Sequence, residues 1–329
     1  MQVTSTGLTN TSISDNSAIS LWKDLSGNGK NAIQSDGTKQ PKFDNSGSHP
    51  LIKFDGTDDK MISDLDIKPS EMVQVTVVAV FSVKDTNKNP IWGNDHSWDR
   101  FLAIEPSASK SGLSSGFTVF HLDSLDDQIN NGLMLTQGFY HEDEHISSYL
   151  YLNGEFTNLF LSDTDTGSDG GLSTFAIGTH GANKTGDNFL NGDIAEMLVF
   201  NRELTTAERI EINLYLAKKW GITAKVDSDE DGYFDSVDSK PSIPEWEMIA
   251  KQYNSSKQDN NGYFHANTKT TLKENENYSS RPTFMSIGNL NPSDFLDSGK
   301  YKFKLVWDGD EADELLTEGS TKEVQWKQT

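Results

Sequence analysis

Five aspartates between positions 227 and 238 raise the first chemical question. Asp227, Asp229, Asp231, Gly232, Asp235 and Asp238 spell D-x-D-x-D-G-x-x-D-x-x-D. Alternating aspartates on a loop folded at a glycine can converge hard oxygens on one point, and calcium takes about six to eight such oxygens. Tyr233 stands where a backbone carbonyl would be supplied, and Asp238 replaces the usual terminal Glu of an EF-hand-like loop. Without an ion these carboxylates repel one another. The pattern therefore predicts a Ca2+ site, with a solvated acidic linker as the plainer alternative.

A second constellation is a polar loop that carries an aromatic ring. Asn94, Asp95, His96, Trp98, Asp99 and Arg100 combine a stacking surface with donors and acceptors, the inventory a sugar site needs. Trp98 would lie on the C–H face of a sugar ring, Arg100 and Asn94 would donate, and Asp95 or Asp99 would accept. The alternative is that Trp98 packs beneath its own loop and Arg100 pairs with Asp99. A further loop, Thr179–Asn188, is equally polar and offers His180, Asn183, Asp187 and Asn188, with His180 as its one ring. Carboxylates at Asp95, Asp99 and Asp187 would also permit a second calcium, as lectins often use an ion to bind vicinal hydroxyls.

His141-Glu142-Asp143-Glu144-His145 matches H-E-x-x-H, the zinc-protease pattern. That chemistry needs a helix, which brings imidazoles at i and i+4 to one face. Here both flanks alternate like strands, so HEDEH reads as a hairpin turn. Catalytic carboxylates are equally poorly provided for. A retaining glucanase needs two of them about 5–5.5 Å apart on one strand face, and the only Glu pair at period 2 in the strand-rich region, Glu142 and Glu144, falls in that turn. The expectation is a binding protein with no catalytic residues.

The elements that must position these groups are strands. Short alternating runs recur from Leu51–Asp55 through 72–83, 100–104, 116–121, 132–140, 147–152 and 174–178 to 194–200, separated by Gly, Asn, Asp and Ser. Such period-2 patterning predicts an antiparallel all-β sandwich. The run at 73–83 is apolar enough to be buried. One helix follows: Thr205 and Glu208 spell a capping box, Ile210, Leu214 and Ala217 share a face, and Gly221 can end it. The predicted organisation is a sandwich over 1–223, an acidic linker over 224–244, and a smaller β-rich unit over 245–329. Trp246, Tyr253 and Tyr263 of that unit are expected in its core. The C-terminal KEVQWKQT stops inside a strand-like pattern, so the chain is read as a monomeric fragment of a longer protein.

Composition narrows the partners. Across 329 residues, 50 acidic and 28 basic side chains leave a net charge of −22, and there is no cysteine. Such a charge argues against nucleic acid and anionic membranes, and disulfides and thiolate chemistry are excluded. No stretch reaches the roughly 18 apolar residues of a membrane span, and MQVTSTGLTN lacks the basic-then-apolar order of a signal peptide. The charge fits an extracellular setting that contains calcium.

Four phrases in order carry a family resemblance: LWKDLSGNGKNA from Leu21, LIKFDGTDDKM from Leu51, YLYLNGE from Tyr149, and FLNGDIAEMLVFNRELTTAERIEINLYLAKKWGI from Phe189. Residues 1–222 resemble bacterial LamG-like concanavalin A-type lectin/glucanase domains. The resemblance implies a two-sheet jelly roll, usually binding carbohydrate and sometimes calcium, in extracellular adhesins or polysaccharide-degrading enzymes. The acidic segment likewise resembles the calcium linkers of bacterial surface proteins. The phrases themselves read mostly as scaffold: Asp24, Gly27, Asn28 and Gly29 suit a tight turn, and Asn153-Gly154 suits a two-residue hairpin. The expected function is a lectin module of a bacterial surface adhesin. The alternatives are a carbohydrate-binding module of a polysaccharide-degrading enzyme and a protein-interaction or spacer domain.

Overall fold

The computed structural model describes residues 2–4, 13–68, 70–84, 89–94, 100–106, 111–115, 118–121, 132–141, 148–159, 173–183, 189–239, 241–242, 250–252, 283–285, 296–297, 300–308 and 321–327. The chain divides into two compact units, Met1–Pro244 and Glu245–Thr329.

The first unit is an antiparallel β-sandwich of the jelly-roll kind. Its strands begin with β1 (Gln2–Thr4), β2 (Leu21–Trp22), β3 (Ala32–Ile33), β4 (Lys42–Asp44), β5 (Leu51–Asp55), β6 (Met61–Ser63), β7 (Gln74–Val83) and β8 (Asn89–Gly93). They continue with β9 (Phe101–Pro106), β10 (Ser111–Ser115), β11 (Thr118–His121), β12 (Met134–His141), β13 (Tyr149–Leu152), β14 (Glu155–Leu159), β15 (Phe175–Ile177) and β16 (Asn191–Phe200). One sheet runs β14-β13-β12-β7-β16-β5-β4, with β1 also on β16; the other runs β11-β10-β9-β8-β15-β6-β3-β2.

Alternation places Phe54, Phe81, Met134 and Met197 of the first sheet against Trp22, Met61, Trp92 and Phe175 of the second. The outer face of the first sheet is covered by helix α1 (Thr206–Trp220), the one α-helix among the described residues. Val78, Val80, Leu135 and Ala195 pack there beneath Leu216, Ala217 and Trp220. Strand β7 is therefore buried on both faces, which explains why its sequence is nearly continuous in apolar residues instead of alternating.

The helix ends follow their sequence signals. Thr205 Oγ1 accepts from Glu208 N–H while the Glu208 carboxylate accepts from Thr205 N–H at 2.9 Å, and Gly221 closes the helix at φ 68°. Arg202 grips Glu208 bidentately at 2.7 and 2.8 Å. Those hydrogen bonds hold the Glu208 carboxyl down to about 2.

The second unit has β17 (Ala250–Gln252) paired antiparallel with β18 (Thr283–Met285), and an antiparallel sheet of β19 (Leu296–Asp297), β20 (Lys300–Asp308) and β21 (Thr321–Lys327). The β-rich character expected of this unit is present in these strands. Trp246, Tyr253 and Tyr263 lie outside the described residues.

Candidate functional site

The acidic loop grows directly out of the helix end. After Gly221, Ile222 N–H donates to Ala217 O at 2.9 Å, and Val226 is fully buried in the helix–sheet core. Asp227 then lands on the β13–β14 turn, where its N–H donates to Asn153 O at 3.0 Å. That turn is locked in place: Asn153 N–H donates to Leu135 O at 2.7 Å, and Leu135 N–H donates to Asn153 Oδ1 at 2.8 Å. Asn153 and Gly154 both take positive φ, 52° and 90°, as a type I′ hairpin requires. Gly154 meets a second demand too, because a Cβ there would overlap the backbone carbonyl of Asp227. The segment expected as a linker is thus packed into the sandwich unit.

Within the loop, the Asp227 carboxylate accepts from the N–H groups of Asp231 (3.2 Å) and Gly232 (2.8 Å), and Asp231 Oδ1 accepts from Tyr233 N–H at 2.9 Å. Asp235 closes the loop by accepting from both Ser228 N–H (2.9 Å) and Ser228 Oγ (2.8 Å). Asp227, Asp229 and Asp231 each bring a carboxylate oxygen to within 4.8 Å of the others. Asp229 is decisive. It is only 5% exposed, and neither of its oxygens has a hydrogen-bond donor. Asp238 is half-buried, and the side chain of Tyr233 is exposed.

A buried carboxylate facing others cannot hold its charge without compensation. Burial first, then the charges of Asp231, Asp227 and Asp238, push Asp229 up to about 7, and burial also raises Asp227 and Asp235. In the ion-free protein the folded state holds the Asp229 proton more tightly than the unfolded chain does. The contribution of Asp229 to stability therefore falls as pH rises from about 4 to 7. For a cation the sign reverses, since the proton competes with it. Apparent affinity is expected to fall about tenfold for each pH unit below about 7, measurable by calorimetric titration. The donor set consists of hard oxygens with one orphaned, buried carboxylate, and it fits a hard divalent cation.

The described flanks of the two loops expected to bind sugar are neighbours in the second sheet. Ala176 of β15 pairs with Gly93 of β8, and a Cβ on Gly93 would overlap the His180 carbonyl. The His180 ring packs edge-on against Phe101 at 4.7 Å and is 8% exposed. Asn94 is fully buried, its Oδ1 accepting from Arg100 N–H at 3.3 Å. Asn183 is exposed, whereas Asp95, His96, Trp98, Asp99, Asp187 and Asn188 lie outside the described residues.

Arg100 corrects an expectation. Its side chain is buried, and the guanidinium donates to the carbonyls of Ile67 (2.7 Å), Met72 (2.5 Å) and Val73 (3.2 Å). It ties the entry of β7 to the loop before β9 and does not face solvent, so neither it nor Asn94 is presented as a sugar donor. Arg100→Met is expected to cost about 3 kcal/mol, because three carbonyls lose a charged donor together. Urea denaturation would measure this.

HEDEH falls on the connection between two antiparallel neighbours, β12 and β13. Only His141 is described there, as the last residue of β12.

Sequence reasoning missed two groupings. Asp55, Asp58 and Asp59 gather their carboxylates on the turn after β5. Asp59, pushed to about 6 chiefly by burial, accepts from the Asp55 N–H at 3.1 Å, so this cluster satisfies itself through its own backbone. Glu230, inside the acidic loop, pairs with Arg209 of α1. No sequence signal joins residues on different elements in this way.

No family model and no curated protein matches the chain. Among solved structures, it is similar to the botulinum neurotoxin serotype D binding domain, with 14% identity and a TM-score of 0.44 over 62% of this chain and 51% of that one. It is also similar to Trypanosoma rangeli sialidase in complex with sialic acid, with 14% identity and a TM-score of 0.39 over 62% of this chain and 32% of that one. The chain thus spans about half and a third of those proteins.

Proposed function

We propose that the sandwich unit is a carbohydrate-binding module of an extracellular bacterial surface protein, with Ca2+ held in the Asp227–Asp238 loop to stabilise it. The observation that supports the binding reading is the close approach of Gly93, at the end of β8, to the His180 backbone, which brings together the chain segments from which the two polar loops depart. A rim built from adjacent polar loops on a rigid sandwich is a standard place for a ligand. The observation that supports the ion is the orphaned, buried Asp229 beside Asp227 and Asp231.

Within this reading Trp98 supplies the stacking face, Asp95 and Asp99 accept sugar hydroxyls, and Asn183, Asp187 and Asn188 complete the polar rim. Asn94, Arg100 and His180 hold the loops from below. Asp227, Asp229, Asp231 and Asp238 would ligate the ion by carboxylate and Tyr233 by its carbonyl, while Asp235 closes the loop. Calcium then supplies charge compensation for the aspartates. The module binds without hydrolysing, so a reducing-sugar assay on plant and marine polysaccharides is expected to register no release.

The test is a glycan array in millimolar calcium, repeated after chelation. Trp98→Ala is expected to lose about 1–3 kcal/mol of binding, the scale of a truncated aromatic anchor, with an unchanged circular dichroism spectrum. Silence of the array under both conditions would turn the reading to a protein-interaction or spacer domain.

A further inference from the structure

Helix α1 carries a charge where an ordinary cover helix would carry an apolar side chain. Arg209, in its first turns, is only 3% exposed. Its guanidinium lies 4.2 Å from the centre of the Tyr151 ring, and its ion-pair partner is Glu230. Tyr151 belongs to an aromatic cluster on the outer face of the first sheet, 5.5 Å from Tyr149 and 5.4 Å from Phe156, with Phe139 5.2 Å from Tyr149. The same strand leads two residues later into the Asn153-Gly154 turn that seats Asp227.

Glu230 stands between Asp229 and Asp231, the two aspartates that share one point with Asp227. It takes φ 62°, a left-handed conformation rare for a residue with a Cβ. Such a conformation persists where the surroundings over-determine it, and here its side chain is drawn to the buried guanidinium. We propose that Arg209, through Glu230, is the positioning residue of the ion loop, and that it couples ion occupancy to the order of α1 and the β13–β14 hairpin.

The inference rests on the calcium reading and adds a physical link to it. With the ion bound, the aspartates are held together and Glu230 stays on Arg209. Without it, like charges open the loop and draw Glu230 away, stranding a guanidinium among aromatic rings, and a buried charge without its partner is strongly unfavourable. The coupling is reciprocal by necessity: whatever affinity the pair adds to the ion, the ion adds to the docking of the helix.

The test uses the full chain. Terbium luminescence with calcium competition reads ion binding, and amide hydrogen exchange reads α1 and residues 149–157 with and without calcium. Wild type is expected to bind and to slow exchange in both segments. Glu230→Gln keeps the side-chain size and every proposed ligand. It should bind about tenfold more weakly and lose the calcium-dependent slowing in α1. Should Glu230→Gln fail to fold, Arg209→Lys keeps the charge and is expected to recover most of the wild-type affinity and protection.

Absence of ion binding in wild type would overturn the calcium reading and this inference with it. Ion binding that leaves exchange in both segments unchanged would overturn the coupling alone. Wild-type affinity and protection in Glu230→Gln would remove Arg209 and Glu230 from it.

Discussion

Millimolar calcium is expected to raise the melting temperature of ion-stripped protein by roughly 5–10 °C. A ligand present at about a hundred times its Kd, and bound only by the folded state, adds about 2.7 kcal/mol. For a unit of this size each kcal/mol corresponds to about 2–4 °C. The gain is focused at Asp229, whose two oxygens are buried and without donors, so binding there does not have to displace protein hydrogen bonds. Asp229→Asn should give a distinctive crossing: a slightly higher melting temperature without calcium, since repulsion from Asp227, Asp231 and Asp238 is relieved, and little or no rise with it. Scanning calorimetry of both proteins with and without a chelator measures the pair of effects. Equal calcium increments in wild type and Asp229→Asn would move the ion elsewhere.

The second large effect is expected at Gly154. Its φ of 90° is left-handed, and an added Cβ would meet the Asp227 carbonyl, a backbone atom held by the same segment's hydrogen bond to Asn153. A flexible side chain could swing aside; this backbone cannot do so without lifting the acidic loop. Gly154→Ala should therefore cost about 3 kcal/mol or more, a conformational penalty plus the loss of a docking contact. Gly27 provides the control, with φ 88° and nothing within 4 Å of its would-be Cβ. Gly27→Ala should cost about 1 kcal/mol, since only the conformational term remains. Gly154→Ala should also lose ion binding, which Gly27→Ala should retain. Equal costs at the two glycines in chemical denaturation would show that the loop does not depend on the hairpin.

Local patterning reached much of the first unit, including the buried strand at 74–83. The runs at 51–55 and 194–200, the hairpin at Asn153-Gly154 and the capped helix all follow from local rules. Hydrophobic period, turn residues and caps act over a few neighbours, so they are written in the order of the chain. Strands β2, β3 and β6 are two or three residues long. They are too short to show a period, and they exist because neighbouring strands offer them hydrogen bonds.

Arg100 illustrates the other limit. In sequence it sits in a polar loop beside Trp98 and reads as a rim donor. In the fold it points inward, because three carbonyls at the entry of β7 need donors and a guanidinium is long enough to reach them. Residue type and loop position are the same in both readings, and only the packing tells them apart.

By itself the sequence determined the all-β architecture of the first unit, the helix that covers it, and the spacing of aspartates that can gather hard oxygens. These depend on contacts between residues a few positions apart. Tertiary structure alone decided that the acidic segment is seated on the sandwich at Gly154, that Asp229 is buried without a donor, and that Glu230 answers Arg209. These depend on groups tens of residues apart in the chain, whose burial and charge acquire meaning only once folding has removed the water between them.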